Sequence, residues 1–423
     1  MWEACGFEPR YRLEVLKRKY LLKISEKNAG LGLLMKKSKF LSMHDQIRDM
    51  GRRIADNQSP TEPGKHSRLW PRDNIMKVLH GSKGNEIVGD LPLWFGHIVL
   101  NIKSFENMSN LRLLEVDGAV LLGKFQYLPS MLRWLSWCYC PLEKLSADFY
   151  HDKIVMLDLS FGIFKLDSNN WLENKMFQQL KILKLSSCWK LFESPDFSGF
   201  PLLERLYLNC CPFLVNIHES IGQLQQLVYL NLDSCIDLKK LPNSISRLSS
   251  LQKLILSKCS SLKELPESIG DLKESLVELF LDRTRMKALP ASVGLLKKME
   301  VLDLLYCKSL VDLPKSLENM SSLRCIILWG NAKLRYIPKL PCALIELRLC
   351  NTLVRSKDVH EMNQLELLCL KKFSAKEEQF TRSIVRTSFD GLVQSGLEFI
   401  CVHYSRLMHG LVRSFIFCYI YLP

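Results

Sequence analysis

A leucine pattern that recurs about every 24 residues constrains this chain more than any other feature of its sequence. The string is Leu-x-x-Leu-x-Leu, with Met or Ile at some of the leucine positions. It begins at Leu180, Leu203, Leu227, Leu251, Leu276, Met299, Leu323 and Leu344. Successive strings therefore begin 23, 24, 24, 25, 23, 24 and 21 residues apart. Such regular spacing indicates one structural unit repeated along the chain.

Each Leu-x-Leu within the string is typical of a short strand, because side chains alternate between the two faces of a strand. The leucines point inward, and the residues between them face solvent. A unit that buries one face only is unstable alone and must stack on its neighbours. The sequence therefore predicts an α/β fold class, a leucine-rich-repeat solenoid shaped like a horseshoe, with a parallel sheet along its concave side.

A second regular position lies three residues after the last leucine of a string. Its occupants are Cys188, Cys211, Cys235, Cys259, Cys307 and Asn331. A small side chain that satisfies backbone groups inside a turn suits this position. A ladder at one repeat position predicts buried structural thiols rather than reactive or metal-binding ones, and we predict no metal site.

Leu-Pro pairs follow in the middle repeats. They lie at Leu241-Pro242, Leu265-Pro266, Leu289-Pro290 and Leu313-Pro314. Proline fixes φ and has no backbone donor, so these pairs predict outer turns on the convex side.

The period also sets the predicted domain boundaries. Less regular strings precede the array from about residue 105, and the period is lost past Thr352. We expect a separate segment at residues 1–90, repeats at 91–352, and a cap or poorly specified tail at 353–423. In the first segment, a basic helix, two short strands and a helix from Asp45 predict a partial winged-helix unit.

Composition limits the classes of partner. The 423 residues are 47% apolar and 24% charged, as in soluble folded proteins. The net charge of +14 favours anionic partners, but the basic residues are interleaved with leucines, so we predict no nucleic-acid partner. The apolar stretch 411–422 is shorter than the roughly 20 residues of a spanning helix, so we predict no membrane span.

The amino terminus and the cysteines indicate the compartment. Residues 1–5 lack the basic and apolar regions of a secretory signal, and the cysteines follow the repeats instead of forming a disulfide framework. We predict a reducing environment, in the cytoplasm or also the nucleus.

A short motif resembles that of a known family. Met43-His44-Asp45, followed by residues 47–52, resembles the MHD motif of plant nucleotide-binding leucine-rich-repeat immune receptors. Residues 59–70 and the Leu-Pro repeats are similar to the subclass that carries a TIR domain. The resemblance covers residues 1–352 and implies an intracellular receptor whose repeats sense a pathogen effector or a guarded host protein and restrain a nucleotide switch.

The resemblance also implies a cofactor in a longer chain. His44 corresponds to the family's histidine near the phosphates of ADP, and Asp45 supports the resting state. This chain has no G-x-x-x-x-G-K-[ST] loop, because Gly64-Lys65-His66 lacks the upstream glycine and the hydroxyl residue. We therefore expect no ADP or ATP in this chain, and nucleotide only with a P-loop module upstream, which the repeats would contact within one molecule.

The outward positions of the predicted strands are the expected partner-binding surface. Aromatic residues and arginine are the types that anchor protein interfaces. The predicted contacts are Arg205, Tyr207, Tyr229, Lys253, Phe280, Trp329 and Arg348. No H-E-x-x-H or G-x-S-x-G string occurs, so we predict a binding protein and not an enzyme.

Two other functions remain open from the sequence. The chain fits the nucleotide-switch component of a longer NTPase receptor, which an upstream P-loop would identify. It also fits the ectodomain of an extracellular repeat receptor, which oxidised thiols and glycans on Asn107 and Asn319 would identify.

Overall fold

The structure is a computed structural model of the chain. It describes residues 9–19, 21, 23–28, 37–56, 72–80, 86, 88–93, 98–143, 149, 151–163, 177–349, 352–354 and 367–369. The apolar stretch 411–422 and the Gly64-Lys65-His66 string lie outside these residues. Within them, no helix is both long and apolar enough to cross a membrane.

The amino-terminal elements follow the predicted order of helix, hairpin and helix. Helix α1 spans Pro9–Arg18 and helix α2 spans Asp45–Asp56. Between them, strands β1 (Lys23–Asn28) and β2 (Lys37–Ser42) pair in antiparallel fashion. The assignment of this segment to a partial winged-helix unit stays a prediction.

A third helix marks where the solenoid core begins. Helix α3 (Arg72–His80) buries Ile75, Val78 and Leu79 in the same core as the first repeats. The solenoid core thus starts before residue 90, whereas the sequence predicted the boundary between the first segment and the repeats at residue 90. The leucine period gave no sign of α3, because a capping helix contributes apolar residues without the repeat string.

One parallel sheet runs along the solenoid. Its strands are β3 (Asp90–Leu93), β5 (Leu113–Asp117), β7 (Trp134–Cys138), β8 (Met156–Asp158), β9 (Ile182–Lys184), β10 (Arg205–Tyr207), β11 (Tyr229–Asn231), β12 (Lys253–Ile255), β13 (Glu278–Phe280), β14 (Val301–Asp303), β15 (Cys325–Ile327), β16 (Glu346–Arg348) and β17 (Leu367–Cys369). A separate parallel pair joins β4 (Val99–Asn101) to β6 (Val120–Leu122).

The strands of the long sheet stack in chain order, with each repeat in register with the next. Leu206 on β10, for example, faces Leu183 on β9 and Leu230 on β11. These central leucines are fully buried, and burying one leucine stabilises the fold by roughly 1.5–3 kcal/mol. The predicted leucine-rich-repeat solenoid is confirmed.

Short 3-10 helices form the convex side, where the Leu-Pro pairs predicted outer turns. They span Glu219–Gln223, Asn243–Arg247, Glu267–Glu274, Ala291–Leu295 and Lys315–Asn319, with two more at Ile102–Phe105 and Phe125–Tyr127. The last four of the first group begin directly after Pro242, Pro266, Pro290 and Pro314. Each proline ends the extended backbone and leads into the helix.

The cysteine position forms an internal ladder. The Cys211 thiol donates a hydrogen bond to the Leu185 carbonyl of the previous repeat at 3.1 Å, and the Cys259 thiol donates to the Leu232 carbonyl at 3.2 Å. The Asn331 amide donates to the Leu304 carbonyl at 3.0 Å, so amide and thiol serve the same purpose. The prediction of buried structural thiols is confirmed.

The ladder turns through an uncommon backbone conformation. The residue before each ladder position has a positive φ, as at Ser187 (57°), Cys210 (60°) and Ser234 (62°). Residues other than glycine rarely adopt this conformation. The leucine pattern does not predict this conformation, because glycine takes the position in two repeats only, at Gly118 (66°) and Gly330 (81°).

The sheet extends further than the predicted repeats. Strand β17 pairs with β16 beyond residue 352, where the predicted tail begins. Residues 355–366 and 370–423, which make up most of that tail, lie outside the described residues.

The close stacking of the convex helices predicts a specific sensitivity to added volume. Replacing Gly270 with alanine would place a Cβ 2.6 Å from the Ser292 carbonyl oxygen of the next repeat. We expect Gly270→Ala to lower the free energy of unfolding by roughly 1–3 kcal/mol through overpacking. Gly51→Ala is the control, because no heavy atom lies within 4 Å there. Equal thermal unfolding curves for both variants would contradict the close packing of Gly270 against the next repeat.

The thiol ladder predicts selective chemical modification. Burial raises the pKa of the Cys259 thiol to about 12 and that of Cys307 to about 11, whereas Cys342 is exposed. The thiolate is the reactive form. We expect iodoacetamide to modify Cys342 in the folded chain and to reach Cys259 and Cys307 only after denaturation. Peptide mass spectrometry measures this, and native labelling of Cys259 at the rate of Cys342 would contradict it.

Candidate partner-binding site on the concave face

The structure brings five of the seven predicted contact residues together. Arg205 and Tyr207 lie on β10, Tyr229 on β11, Lys253 on β12 and Phe280 on β13. Each occupies an outward position of its strand, on either side of a buried leucine. We call these five residues the aromatic strip.

Cations and rings alternate across neighbouring strands of the aromatic strip. The rings of Tyr207 and Tyr229 have centroids 5.0 Å apart. The Arg205 guanidinium lies 5.6 Å from the centre of the Tyr229 ring, and the Lys253 ammonium 4.5 Å from that of Phe280. Such cation–π contacts are worth about 0.5–1 kcal/mol when exposed and more when desolvated. They hold the side chains in fixed positions before any partner arrives.

Ion pairs offset two of the concave cations. The Lys253 ammonium lies 2.6 Å from a Glu278 carboxylate oxygen, and the Lys184 ammonium 3.1 Å from one of Asp158. Arg205 is exposed and makes no ion pair with any residue that the structure describes. Its guanidinium therefore keeps donors available for an incoming acceptor.

The central tyrosine of the strip remains a hydrogen-bond donor at physiological pH. Burial, and to a smaller extent the neighbouring Tyr207, raises the pKa of the Tyr229 phenol to about 12. The strip therefore presents a protonated phenol beside a guanidinium, which together suit a partner's carbonyl or carboxylate groups.

The other two predicted contacts lie apart from the strip and are already engaged. The Trp329 ring, after β15, packs with Tyr306 at a centroid distance of 6.3 Å. The Arg348 side chain, on β16, donates from Nε to a Glu346 carboxylate oxygen at 2.6 Å, and Glu346 is fully buried. These contacts give Trp329 and Arg348 a structural role, although none of them tests partner binding.

Several outward positions at the carboxyl-terminal end differ from the expectation of solvent exposure. Glu278, Asp303, Ile327 and Glu346 are buried. Ile327 belongs to a second apolar cluster with Val301, Leu305 and Cys325, against which Phe280, Tyr306 and Trp329 pack. The alternation of side chains along a strand correctly predicts on which side of the sheet each residue lies. It does not predict which other residues pack on that side.

Among the acidic residues of this region, Asp303 has the carboxyl group whose pKa is shifted most. Burial raises the pKa of its carboxyl group to about 7, and the nearby Asp282 adds to the rise. The Leu305 amide, which donates to Asp303 Oδ1 at 2.9 Å, and the charge of Arg348 act in the opposite direction. Sequence reasoning placed Asp303 on the concave face but had no signal for its burial.

The predicted nucleotide residues act locally at the start of α2. His44 is exposed, and its Nδ1 accepts a hydrogen bond from the Gln46 amide at 3.3 Å. Asp45 pairs with Arg48 at 2.7 Å. Phosphate binding needs several converging donors, which these contacts do not supply. His44 and Asp45 alone therefore do not fit ADP, and their role in a longer chain stays a prediction.

Metal binding finds no support in the part of the chain that the structure describes. No group of three or more His, Cys, Asp or Glu side chains there is arranged to hold an ion.

Comparison with known proteins identifies the repeats. A family model for a leucine-rich repeat region matches residues 190–383. TMV resistance protein N of Nicotiana glutinosa is 29% identical over 241 residues, which are 56% of this chain and 20% of that protein. Disease resistance protein RUN1 of Vitis rotundifolia is 33% identical over 256 residues, which are 53% of this chain and 18% of that protein. The chain carries a leucine-rich repeat region that is similar to the matched regions of these plant disease resistance proteins.

The match confirms the resemblance to TIR-type resistance proteins for the repeat region. This region is a recognition module in such proteins, and leucine-rich repeats mediate protein–protein contacts. The chain spans about a fifth of the length of the curated relatives it matches. Among solved structures, the functional domain of InlJ from Listeria monocytogenes is 18% identical, with a TM-score of 0.49 over 70% of this chain and 61% of that chain.

The buried carboxyl group of Asp303 predicts a pH dependence of the repeat region's stability. Because its folded pKa of about 7 exceeds the unfolded value of about 3.9, the folded state binds the proton more tightly. Stability therefore falls as pH rises between these values. We expect Asp303→Asn to raise the melting temperature relative to the unchanged chain at pH 7.5 by more than at pH 4.5.

The control for this measurement is Asp312→Asn, since Asp312 is exposed. Its melting temperature should follow that of the unchanged chain at both pH values. A difference for Asp303→Asn that stays constant with pH would mean that the Asp303 carboxyl group titrates normally.

Proposed function

We propose that the chain is the recognition region of an intracellular plant immune receptor, and that its aromatic strip binds a protein partner. The partner is either a pathogen effector or a host protein that the receptor guards. The observation that carries the proposal is the strip itself: ordered rings and an exposed arginine on a rigid parallel sheet. Aromatic residues and arginine provide most of the binding energy in protein interfaces.

The proposed mode of action is binding and not catalysis. The thiols of the ladder are buried, and burial raises the pKa of Cys259 to about 12 and that of Cys307 to about 11, so these two thiols remain protonated. Their hydrogen bonds to backbone carbonyls support a structural use. The repeats offer a shaped surface, and a partner is recognised by shape and contacts.

An intracellular location is part of the proposal. Ten cysteines in the described part of the chain, from Cys138 to Cys342, are free thiols. Extracellular proteins usually contain disulfides, whereas reducing compartments keep thiols free. This observation favours the intracellular receptor over the extracellular ectodomain.

Signalling would require more than the repeats. The relatives are about five times longer than the matched region. We propose that in such a longer protein the repeats restrain a nucleotide-binding module through intramolecular contact, and that partner binding relieves the restraint and starts the defence response. ADP or ATP would then belong to that module.

The test is a two-hybrid screen of the whole chain against a library of secreted pathogen proteins and host proteins. A partner that meets the proposal should bind the unchanged chain and lose affinity by roughly tenfold or more with Arg205→Ala and Tyr229→Ala combined, as interface anchors do. Isothermal titration measures the affinity. Lys315→Ala is the control, because Lys315 is exposed on the convex side.

Trp329→Ala separates binding from folding. Because Trp329 packs with Tyr306 in the second apolar cluster, we expect this variant to lower the melting temperature, whereas the Arg205 and Tyr229 variants should leave it unchanged. Partners whose affinity is insensitive to the Arg205 and Tyr229 substitutions would exclude the strip as the recognition site.

A further inference from the structure

A second surface of the repeats combines exposed apolar and basic side chains. It lies where the strands of the long sheet end and the chain turns toward the convex side. Its apolar half consists of Trp189, Phe192, Phe213 and Ile236, whose exposed fractions are 63%, 53%, 42% and 48%. The rings of Phe192 and Phe213 are 6.0 Å apart. Clustered apolar exposure of this kind marks interaction sites in soluble proteins.

The basic half of this surface lies at one loop position of successive repeats. Phe192 of the apolar half occupies the same position in an earlier repeat. The Val215 amide donates to the Phe192 carbonyl at 2.8 Å, and the Lys239 amide donates to the Val215 carbonyl at 3.4 Å. Further on, the Val311 amide donates to the Lys287 carbonyl at 2.9 Å. At the repeat spacing, this loop position reads Phe192, Val215, Lys239, Lys263, Lys287 and Val311. We call the two halves together the edge surface.

The three stacked lysines lack counter-ions. Lys239, Lys263 and Lys287 are exposed, and none forms an ion pair with a residue in the described part of the chain. They occupy the same loop position in three consecutive repeats, so their like charges form one row along the solenoid. Glu264 and Asp312 occupy the next loop position and do not pair with them. The row therefore presents a positive charge that a partner can neutralise.

We propose that the edge surface binds a polypeptide segment in which aromatic or aliphatic side chains are followed by carboxylates. The apolar side chains would cover Phe192, Phe213 and Ile236, and the carboxylates would meet Lys239, Lys263 and Lys287. This order fixes the direction of the segment along the solenoid. The site is separate from the aromatic strip, because the strip lies on the concave face and the edge surface lies beyond the cysteine ladder.

The mixed chemistry favours a polypeptide over other anionic partners. A nucleic acid supplies phosphates for the lysines, and its bases stack on aromatic rings, but it has no aliphatic side chains for Ile236 and Val215. An anionic membrane attracts basic residues through its headgroups, and it would favour lysines around the apolar residues instead of beyond them. A protein segment with both side-chain classes matches the whole row.

The first experiment measures binding of defined peptides to the whole chain by fluorescence anisotropy. The probe carries Trp-Leu-Phe-Leu, a Gly-Ser spacer and Glu-Asp-Glu-Glu. Two further peptides replace either the apolar half with alanines or the acidic half with lysines. We expect the probe to bind, and both altered peptides to bind roughly tenfold more weakly or not at all. No binding of the probe to the unchanged chain would overturn the proposal.

Substitutions then locate the site. Lys239→Glu, Lys263→Glu and Lys287→Glu together should weaken binding of the probe roughly tenfold, since three exposed charge pairs with the probe are lost. Phe192→Ser with Phe213→Ser should weaken it similarly. The matched control is Lys273→Glu, Lys297→Glu and Lys315→Glu, which makes the same charge change on exposed residues of or beside the convex helices. Equal loss with this control would mean nonspecific charge attraction and would overturn the site.

Other ligands distinguish the partner class and the site. The chain is tested against single-stranded oligonucleotides and against vesicles of phosphatidylcholine with phosphatidylserine. Tighter binding of either ligand than of the probe, lost in the lysine variant, would assign the surface to that partner instead. Arg205→Ala with Tyr229→Ala should leave probe binding intact, so that failure of the edge surface and failure of the aromatic strip are told apart.

Discussion

Stacking of one repeat on the next is the interaction on which the rest of this structure depends. A strand of three residues, such as Arg205–Tyr207, forms backbone hydrogen bonds only with the repeats on either side, and its central leucine is buried only between theirs. Because no repeat completes its own core, stability is shared by neighbours along the solenoid. The ladder of thiols and Asn331 serves the same stacking, since each donates to a carbonyl of the previous repeat.

Regular stacking also explains why the surface carries function. The core positions of the repeats hold apolar residues, mostly leucine, or a small ladder residue, whereas the outward and loop positions are free to vary. Substitution at those positions changes the surface and leaves the core intact. Tyr207 and Tyr229 occupy one such set, and Phe192 and Lys239 another. Both surfaces therefore rest on the same rigid frame.

Much of the fold was predictable from the sequence, because period and residue type report on the core directly. The leucine strings predicted the strands, and the Leu-Pro pairs predicted the convex turns. The cysteine position predicted the ladder, although Thr284, which fills the same position and donates to the Leu281 carbonyl at 2.9 Å, was overlooked because a threonine did not match the pattern. Helix α3 was missed because it lacks the string. Strand β17 was missed although Leu365-Leu368-Leu370 repeats the string 21 residues after Leu344.

The sequence by itself determined which residues face inward, where repeats begin, and which family the repeats resemble, because burial of one face imposes a period that can be read directly. Only the tertiary structure decided which outward residues meet. It joined Arg205 to the Tyr229 ring and paired Arg348 with buried Glu346. It also enclosed Ile327 in a second cluster. The Arg205–Tyr229 contact and the second cluster join side chains of different repeats, about 24 residues apart, whereas Arg348 and Glu346 are two residues apart on one strand. Periodicity specifies the side of a strand on which a residue lies, but not the neighbour that it contacts there.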